Sequence, residues 1–146
     1  PESITHIGEG AFGGNRVPMG TLSLPEGIKV IGERAFSQCP NLWIITIPSS
    51  VDSIGEYAFS YCRNLNVASL KGGGKKLAFG AFFECEKLVA IELPQGMESI
   101  GNIAFSHCTN LYSVSLPSSL QEVGFESFKD CPCEKEVLQL VQKNKM

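Results

Sequence analysis

Six cysteines are the residues of this 146-residue chain best suited to carry chemistry. Five of them recur at intervals of 23 residues, which is too regular for chance. These five are Cys39, Cys62, Cys85, Cys108 and Cys131. Thiols can form disulfides, bind a metal ion or stay buried as small apolar groups. Which of these applies depends on how the successive units are arranged.

Buried thiols are the preferred interpretation of this cysteine column. If successive units stack, five equivalent sulfurs cannot all pair, and parallel inward side chains give poor torsion angles for a disulfide. Ligands in a line also cannot form the tetrahedron that zinc requires. In the first unit Asn15 takes the place of the cysteine, so both side chains are expected to hydrogen-bond the loop backbone of a neighbouring unit. Cys133 lies outside the register, and its role as a free thiol or as a bond to a partner stays open.

Motifs for catalysis or cofactor binding are weak in this chain. Residues 8–13 match G-x-G-x-x-G, but a dinucleotide site needs this motif between a strand and a helix. His6 and His107 fall at different positions of distant units, and neither has an evident nucleophile and acid beside it. We therefore predict that the protein is not an enzyme, and we expect no cofactor, no metal ion and no small-molecule ligand.

The elements that position these side chains follow the same 23-residue period. Each unit has three apolar positions in an L-x-x-I-x-I pattern, a second apolar pair and an Ala-Phe pair, which is replaced by Ser-Phe in the last unit. A unit of this length is too short to enclose a core of its own. The recurring apolar columns therefore predict that successive units stack into a solenoid. Alternation of inward apolar with outward polar residues, as in 45–47, predicts one short strand per unit in a parallel sheet.

Two further positions of the unit carry structural expectations. The Phe of the Ala-Phe pair is predicted to fill the centre of each coil. The glycine after the second apolar pair is expected to adopt a backbone conformation closed to other residues. These glycines are Gly8, Gly32, Gly55, Gly101 and Gly124.

The predicted fold class is a β-rich repeat solenoid of the α/β type, with about six coils of 23 residues. Residues 1–131 form the solenoid, and residues 132–146 form a C-terminal capping helix. The helix is indicated by apolar residues at 137, 138, 140 and 141, with Glu in its first turn and Lys in its last. No cap is visible at the amino end, so we expect the natural chain to extend further or another chain to cover this end.

The repeating unit resembles the leucine-rich repeats of the BspA type. Residues 47–65, IPSSVDSIGEYAFSYCRNL, match the pattern I-P-x-x-V-x-x-I-G-x-x-A-F-x-x-C-x-x-L at every fixed position. The resemblance extends over residues 4–131. It implies a leucine-rich repeat fold and a surface or secreted protein used in adhesion and protein–protein contact. A location inside the cell, within a larger assembly, is the alternative.

One candidate binding surface is the outward face of the predicted strands. Trp43 and Tyr112 share one column of this face, and a neighbouring column contains Thr46, Ser69 and Glu92. Trp and Tyr are favoured anchors at protein interfaces. Both residue types also stabilise sheets without any partner, so the two interpretations stay open.

A second candidate surface is the irregular fourth unit, where three glycines at 72–74 replace the turn. Basic and aromatic side chains collect at its outward positions. They are Lys71, Lys75, Lys76, Phe79 and Phe83. They are interpreted either as a contact spot for a partner or as ordinary drift within a repeat.

Composition excludes two classes of partner. A formal charge of -3 provides no positive field for a nucleic acid. The longest apolar block, residues 42–45, is far shorter than the roughly 20 residues of a bilayer span, so direct membrane insertion is not expected. The predicted function is a non-catalytic module that presents an extended face to a protein partner. The alternative is a structural subunit or assembly factor in a larger complex.

Overall fold

The computed structural model describes residues 4–146 as a solenoid of parallel strands with a helix at its carboxyl end. One strand per coil forms the main sheet. Its strands are β2 (Gly20–Ser23), β4 (Leu42–Ile47), β6 (Val67–Leu70), β8 (Ala90–Glu92) and β10 (Ser113–Ser115). The opposite side, called the second side, carries strands of two residues. These are β1 (His6–Ile7), β3 (Val30–Ile31), β5 (Ser53–Ile54), β7 (Lys76–Leu77), β9 (Ser99–Ile100) and β11 (Glu122–Val123). The helix α1 spans Glu134–Asn144.

The register of the main sheet follows the sequence repeat. The strand order is β10-β8-β6-β4-β2, and every neighbouring pair is parallel. Ile45 pairs with Ala68, and Ala68 pairs with Ile91, each 23 residues further along the chain. This confirms the predicted parallel sheet with one strand per coil. The solenoid makes about five full turns, and the partial first unit accounts for the sixth repeat.

Stacked phenylalanine rings occupy the centre of the coils, as predicted. Neighbouring ring centroids lie 5.1 to 5.4 Å apart, and their planes differ by at most 18°. The ladder consists of Phe12, Phe36, Phe59, Phe82, Phe105 and Phe128. Offset stacking at this distance is favourable for aromatic rings and adds to their large apolar burial. The ladder therefore fills the centre of the solenoid in step with the coils.

The glycines after the second apolar pair serve close packing between coils, so the expectation of a special backbone conformation is wrong. None of Gly32, Gly55, Gly101 and Gly124 is among the described residues with positive φ. A Cβ added to Gly55 would lie 2.5 Å from the backbone nitrogen of Glu33 on the preceding coil. These positions require glycine because no side-chain atom fits between the two backbones.

Left-handed backbone occurs instead at two other positions of each coil, mostly in residues other than glycine. The φ angles there lie between 51° and 70°. One column is Gly10, Arg34, Tyr57, Gly80, Ile103 and Glu126, and the other is Gly14, Gln38, Tyr61, Glu84, His107 and Asp130. A non-glycine residue in this region costs on the order of 1 kcal/mol. Backbone bonds to the next coil hold these turns, for example Tyr57 N to Phe79 O at 3.0 Å.

The second side is interrupted between β5 and β7, which divides it into two sheets of three strands each. Elsewhere on this side the backbone N–H of the recurring glycine donates a hydrogen bond to a carbonyl of the preceding coil. An example is the bond from Gly55 N to Ile31 O at 2.7 Å. The equivalent residue in the fourth coil is Ala78, and within residues 4–146 it makes no such bond to Ile54. Ala78 carries the Cβ that this position excludes in the other coils, so the two backbones stay apart at this residue and the ladder breaks. A few residues earlier the coils still meet, since Gly73 N donates to Val51 O at 2.8 Å.

The helix α1 packs on the last coil and is consistent with a capping role. Val137 and Val141 are buried, and Asn144 Nδ2 donates to the carbonyl of Leu120 at 3.0 Å. Leu138 is 48% exposed, so it lies outside the buried stripe to which the sequence assigned it. Over residues 4–146, no helix combines the length and apolarity that a bilayer crossing needs.

We expect the variant Gly55→Ala to lower the free energy of unfolding by about 3 kcal/mol, because its Cβ would overlap the backbone of the preceding coil. Gly8→Ala is the matched control, since a Cβ at Gly8 meets nothing within 4 Å. Urea denaturation followed by circular dichroism measures both variants. Equal stability of the two would contradict the packing role of this column.

The opposite substitution, Ala78→Gly, tests the origin of the break. An alanine-to-glycine change usually destabilises by about 0.5–1 kcal/mol. Here we expect no loss of stability, because the fourth coil gains backbone hydrogen bonds to the third. Hydrogen exchange should show slower exchange of the amides of residues 76 and 78. A loss of more than about 1 kcal/mol with unchanged exchange would show that residue 78 does not cause the break.

Candidate functional site

The strand face is the surface formed by the outward side chains of the main sheet. In β4 the side chains of Leu42, Ile45 and Ile47 are buried, whereas Trp43 and Ile44 are exposed. The inward residues are fixed by the core, so the outward ones are held on a rigid base. Two outward rows run across the strands. One is Thr21, Ile44, Val67, Ala90 and Ser113, and the other is Ser23, Thr46, Ser69, Glu92 and Ser115.

Two aromatic residues project from the strand face. Trp43 is 57% exposed and Tyr112 is 67% exposed. The pairing of β2 with β4 passes from Gly20–Leu42 to Thr21–Ile44, so Trp43 has no partner in β2. Such an irregularity re-aims a side chain. A depression of about 430 Å³ lies beside Trp43 and is also lined by Ile44, Asn64, Asn66 and Lys87.

A polar cluster occupies the same face. Ser69 Oγ donates to Glu92 Oε1 at 2.6 Å, and Lys71 Nζ donates to the same oxygen at 3.1 Å. These two bonds hold the pKa of Glu92 below its usual value, the Ser69 bond being the larger cause. Thr46 pairs with Ser69 in the register of the sheet. The strand face therefore contains the predicted residues Thr46, Ser69 and Glu92, and it also recruits Lys71.

The other residues of the predicted fourth-unit surface lie elsewhere. Lys75 and Lys76 belong to the second side, where Lys75 Nζ lies 3.9 Å from a carboxylate oxygen of Glu98. Phe79 and Phe83 lie on the turn side, the part of each coil that contains the Ala-Phe pair. The structure thus distributes the five fourth-unit residues over three sides of the solenoid.

The turn side also carries an aromatic cluster that was not identified in the sequence. The rings of Phe79 and Phe83 pack edge-on against Tyr57, at centroid distances of 5.5 and 6.4 Å. Tyr61 packs on Phe83 at 5.5 Å. Gly80 makes room for the cluster, since a Cβ there would lie 2.7 Å from the Tyr57 ring. The irregular fourth unit is therefore adapted to the aromatic side chains of the third.

Buried thiols are confirmed for the cysteine column. All six cysteines are free and buried. Each thiol of the column donates to the carbonyl of a phenylalanine 26 or 27 residues earlier, as Cys62 Sγ does to Phe36 O at 3.0 Å. This is the predicted bond to a neighbouring coil. Asn15 differs, because its Oδ1 accepts from Val17 N at 2.8 Å within its own coil.

The environment of the thiols disfavours thiolate formation. Burial raises the pKa of Cys62 to about 12. Interaction with the Cys131 thiol is the largest cause that raises the pKa of Cys133, followed by burial. Cys133 is thus placed inside the protein, beneath the start of α1, where a bond to a partner's cysteine would require opening of the helix.

The remaining motifs are separated in space. Residues 8–13 follow β1 and continue into turns, so the glycine motif lacks the helix of a dinucleotide site. His6 lies in the first coil, while His107 Nδ1 lies 2.8 Å from a carboxylate oxygen of Asp130. Within residues 4–146, no group of three or more His, Cys, Asp or Glu side chains is placed to hold a metal ion.

This architecture is that of a leucine-rich repeat solenoid. The family model for the BspA-type leucine-rich repeat region matches residues 1–85 and 75–142, with six copies of the repeat. The chain belongs to this family, whose members are in general repeat scaffolds without catalytic chemistry. No curated protein matches the chain in sequence.

Solved bacterial structures show the same fold. A leucine-rich repeat protein of T. pallidum has a TM-score of 0.75 and 31% identity, and the match covers 86% of this chain and 59% of that one. A leucine-rich cell surface protein of Faecalibacterium prausnitzii has a TM-score of 0.70 and 25% identity, over 87% and 40% of the two chains. A leucine-rich repeat protein of Bacteroides ovatus has a TM-score of 0.68 and 24% identity, over 90% and 39%. The chain thus spans 39 to 59% of the length of these proteins.

We predict that none of the six thiols is reactive in the folded protein, because the thiolate is the reactive form and these thiols are buried with raised pKa values. Labelling with a maleimide at pH 8, followed by mass spectrometry, should be at least about 100-fold slower than in guanidinium chloride. The denatured protein, which should take up six labels, is the control. Rapid native labelling of Cys133 would contradict its buried position.

Proposed function

We propose that this protein is a non-catalytic binding module whose strand face contacts a protein partner, as in adhesion proteins of the cell surface. The observation that carries the proposal is the exposure of Trp43 and Tyr112, at 57% and 67%, on a sheet whose inward side chains are buried in β4, β6 and β8. Trp and Tyr provide large contact areas with few rotatable bonds, so they lose little entropy when a partner binds.

The surroundings of the two aromatic residues fit an interface. Ile44 and the partly buried Val67 and Val89 provide an apolar surface on the same face. The Ser69, Glu92 and Lys71 cluster is polar and largely solvated, as the rim of an interface is. The depression beside Trp43 offers a pocket for a side chain of the partner. An apolar centre with a polar rim is the arrangement found in stable protein complexes.

The rigid base of the face lowers the cost of binding. Successive strands are joined in one parallel sheet from β2 to β10, so the aromatic side chains hold their relative positions before a partner arrives. Less conformational entropy is then lost on association. One similar solved structure is described as a leucine-rich cell surface protein. This similarity supports an extracellular location.

The double variant Trp43→Ala, Tyr112→Ala tests the proposal. Surfaces coated with purified extracellular-matrix proteins, such as fibronectin, laminin and collagen, serve as probes for wild-type binding by biolayer interferometry. Where the wild type binds, we expect the double variant to bind at least about tenfold more weakly, because interface aromatics carry much of the binding energy. Its stability should change by less than about 0.5 kcal/mol per site, since both side chains are exposed.

Leu138→Ala is the matched control, because it removes an exposed apolar side chain from α1, outside the strand face. It should bind the coated surfaces as the wild type does. Unchanged binding of the double variant would exclude the strand face as the contact surface. Absence of wild-type binding to every coated protein would count against the adhesion role.

A further inference from the structure

A groove on the second side, called the second-side groove, crosses four coils and has a volume of about 610 Å³. Outward side chains one coil apart line it in a row. The row is Ser53, Lys76, Ser99 and Glu122. A parallel row three residues further along each coil completes the lining with Glu56, Phe79 and Asn102. This groove lies on the opposite side of the solenoid from the strand face.

The groove includes the break between the third and fourth coils. Ile54 and Ala78 both line it, and their backbone groups do not form the bond that joins the equivalent residues of the other coils. The N–H of Ala78 and the C=O of Ile54 are therefore free to bind a ligand there. The charged lining consists of Glu56, Glu122 and Lys76, which gives a formal charge of about -1 with both signs present. Such a lining suits a neutral ligand rich in hydroxyl groups better than a strongly charged polymer.

Two exposed aromatic rings add a spacing argument. Phe79 lines the groove and is 37% exposed. Phe125 is 71% exposed and lies next to the lining residue Gly124, just outside the lining itself. The two phenylalanines occupy the same position of coils that are two repeats apart. Asn102 holds this position in the coil between them. Equivalent side chains of neighbouring coils lie about 5 Å apart, as the ring centroids of the phenylalanine ladder do at 5.1 to 5.4 Å. A ligand whose apolar faces recur at twice this interval would meet both rings.

We propose that the second-side groove binds a β-1,4-linked oligosaccharide that lies along the solenoid axis. In such a chain one pyranose ring follows another at nearly the spacing of these coils, and alternate rings are turned over. The first and third sugars of a segment therefore present the same C–H face, one to Phe79 and the other to Phe125, whose ring faces attract polarised hydrogens. Asn102 Oδ1 accepts from Phe125 N at 2.8 Å, which leaves its Nδ2 to bond a sugar hydroxyl. The two carboxylates and the free backbone groups of the groove are placed to bond further hydroxyls.

Isothermal titration calorimetry with soluble hexasaccharides tests this proposal. Cellohexaose and N-acetylated chitohexaose have the required linkage, whereas maltohexaose, which is α-1,4-linked and curved, does not. We expect one or both of the first two to bind, at least tenfold more tightly than maltohexaose. Failure of both β-1,4-linked probes to bind at millimolar concentration, or equal binding of maltohexaose, would overturn the proposal.

Variants place the ligand in the groove. Phe125→Ala and the double variant Phe79→Ala, Phe125→Ala should each weaken binding, the double variant by at least tenfold. Phe79 packs against Tyr57, so the largely exposed Phe125 gives the test that least affects folding. Trp43→Ala, Tyr112→Ala is the control on the opposite face and should bind the sugars normally. Unchanged binding in the groove variants would overturn the assignment, independently of the result for the strand face.

Discussion

The distance between neighbouring coils is the constraint on which the whole structure depends. Backbone hydrogen bonds between the coils hold this distance at about 4.8 Å, and the stacked phenylalanine rings fill it with centroids 5.1 to 5.4 Å apart. The residue type at each position follows from what fits between two coils. Gly55 stands where no Cβ fits, and Cys62 stands where a thiol reaches the carbonyl of the coil before it. The cysteine thiols thus serve as hydrogen-bond donors that join one coil to the next.

The sequence predicted the solenoid, the parallel sheet, the phenylalanine ladder, the buried cysteines and the terminal helix. These features were accessible because each depends on an apolar column, and a column is visible as a period in the printed chain. The role of the glycines was not accessible. A recurring glycine is compatible with a positive φ or with close packing, and only coordinates distinguish the two. The left-handed positions gave even less signal, because residues such as Arg34 and Ile103 occupy them.

The exposure of two candidate residues could be predicted from the sequence, whereas their role in binding stays a prediction. Trp43 and Tyr112 are exposed because each follows the inward leucine of the L-x-x-I pattern, at the first of its two outward positions. The fourth-unit residues were harder to place, because residues close in sequence are carried around different sides of one coil. The aromatic cluster was missed for a related reason. Tyr57 and Phe83 come from different columns of neighbouring coils, and their contact depends on the space left by Gly80.

The break beside Ala78 has a mechanical consequence. A protein that anchors one body to another carries tension along its chain, and a repeat array under load opens first at the interface with the fewest bonds in parallel. Between the third and fourth coils the strands of the second side are unpaired, whereas the main sheet, the ring stack, the turn side and the bond from Gly73 N to Val51 O at 2.8 Å continue across. Under load, the array would therefore separate at the break, between the third and fourth coils. The coils on each side of the break would keep their own packing.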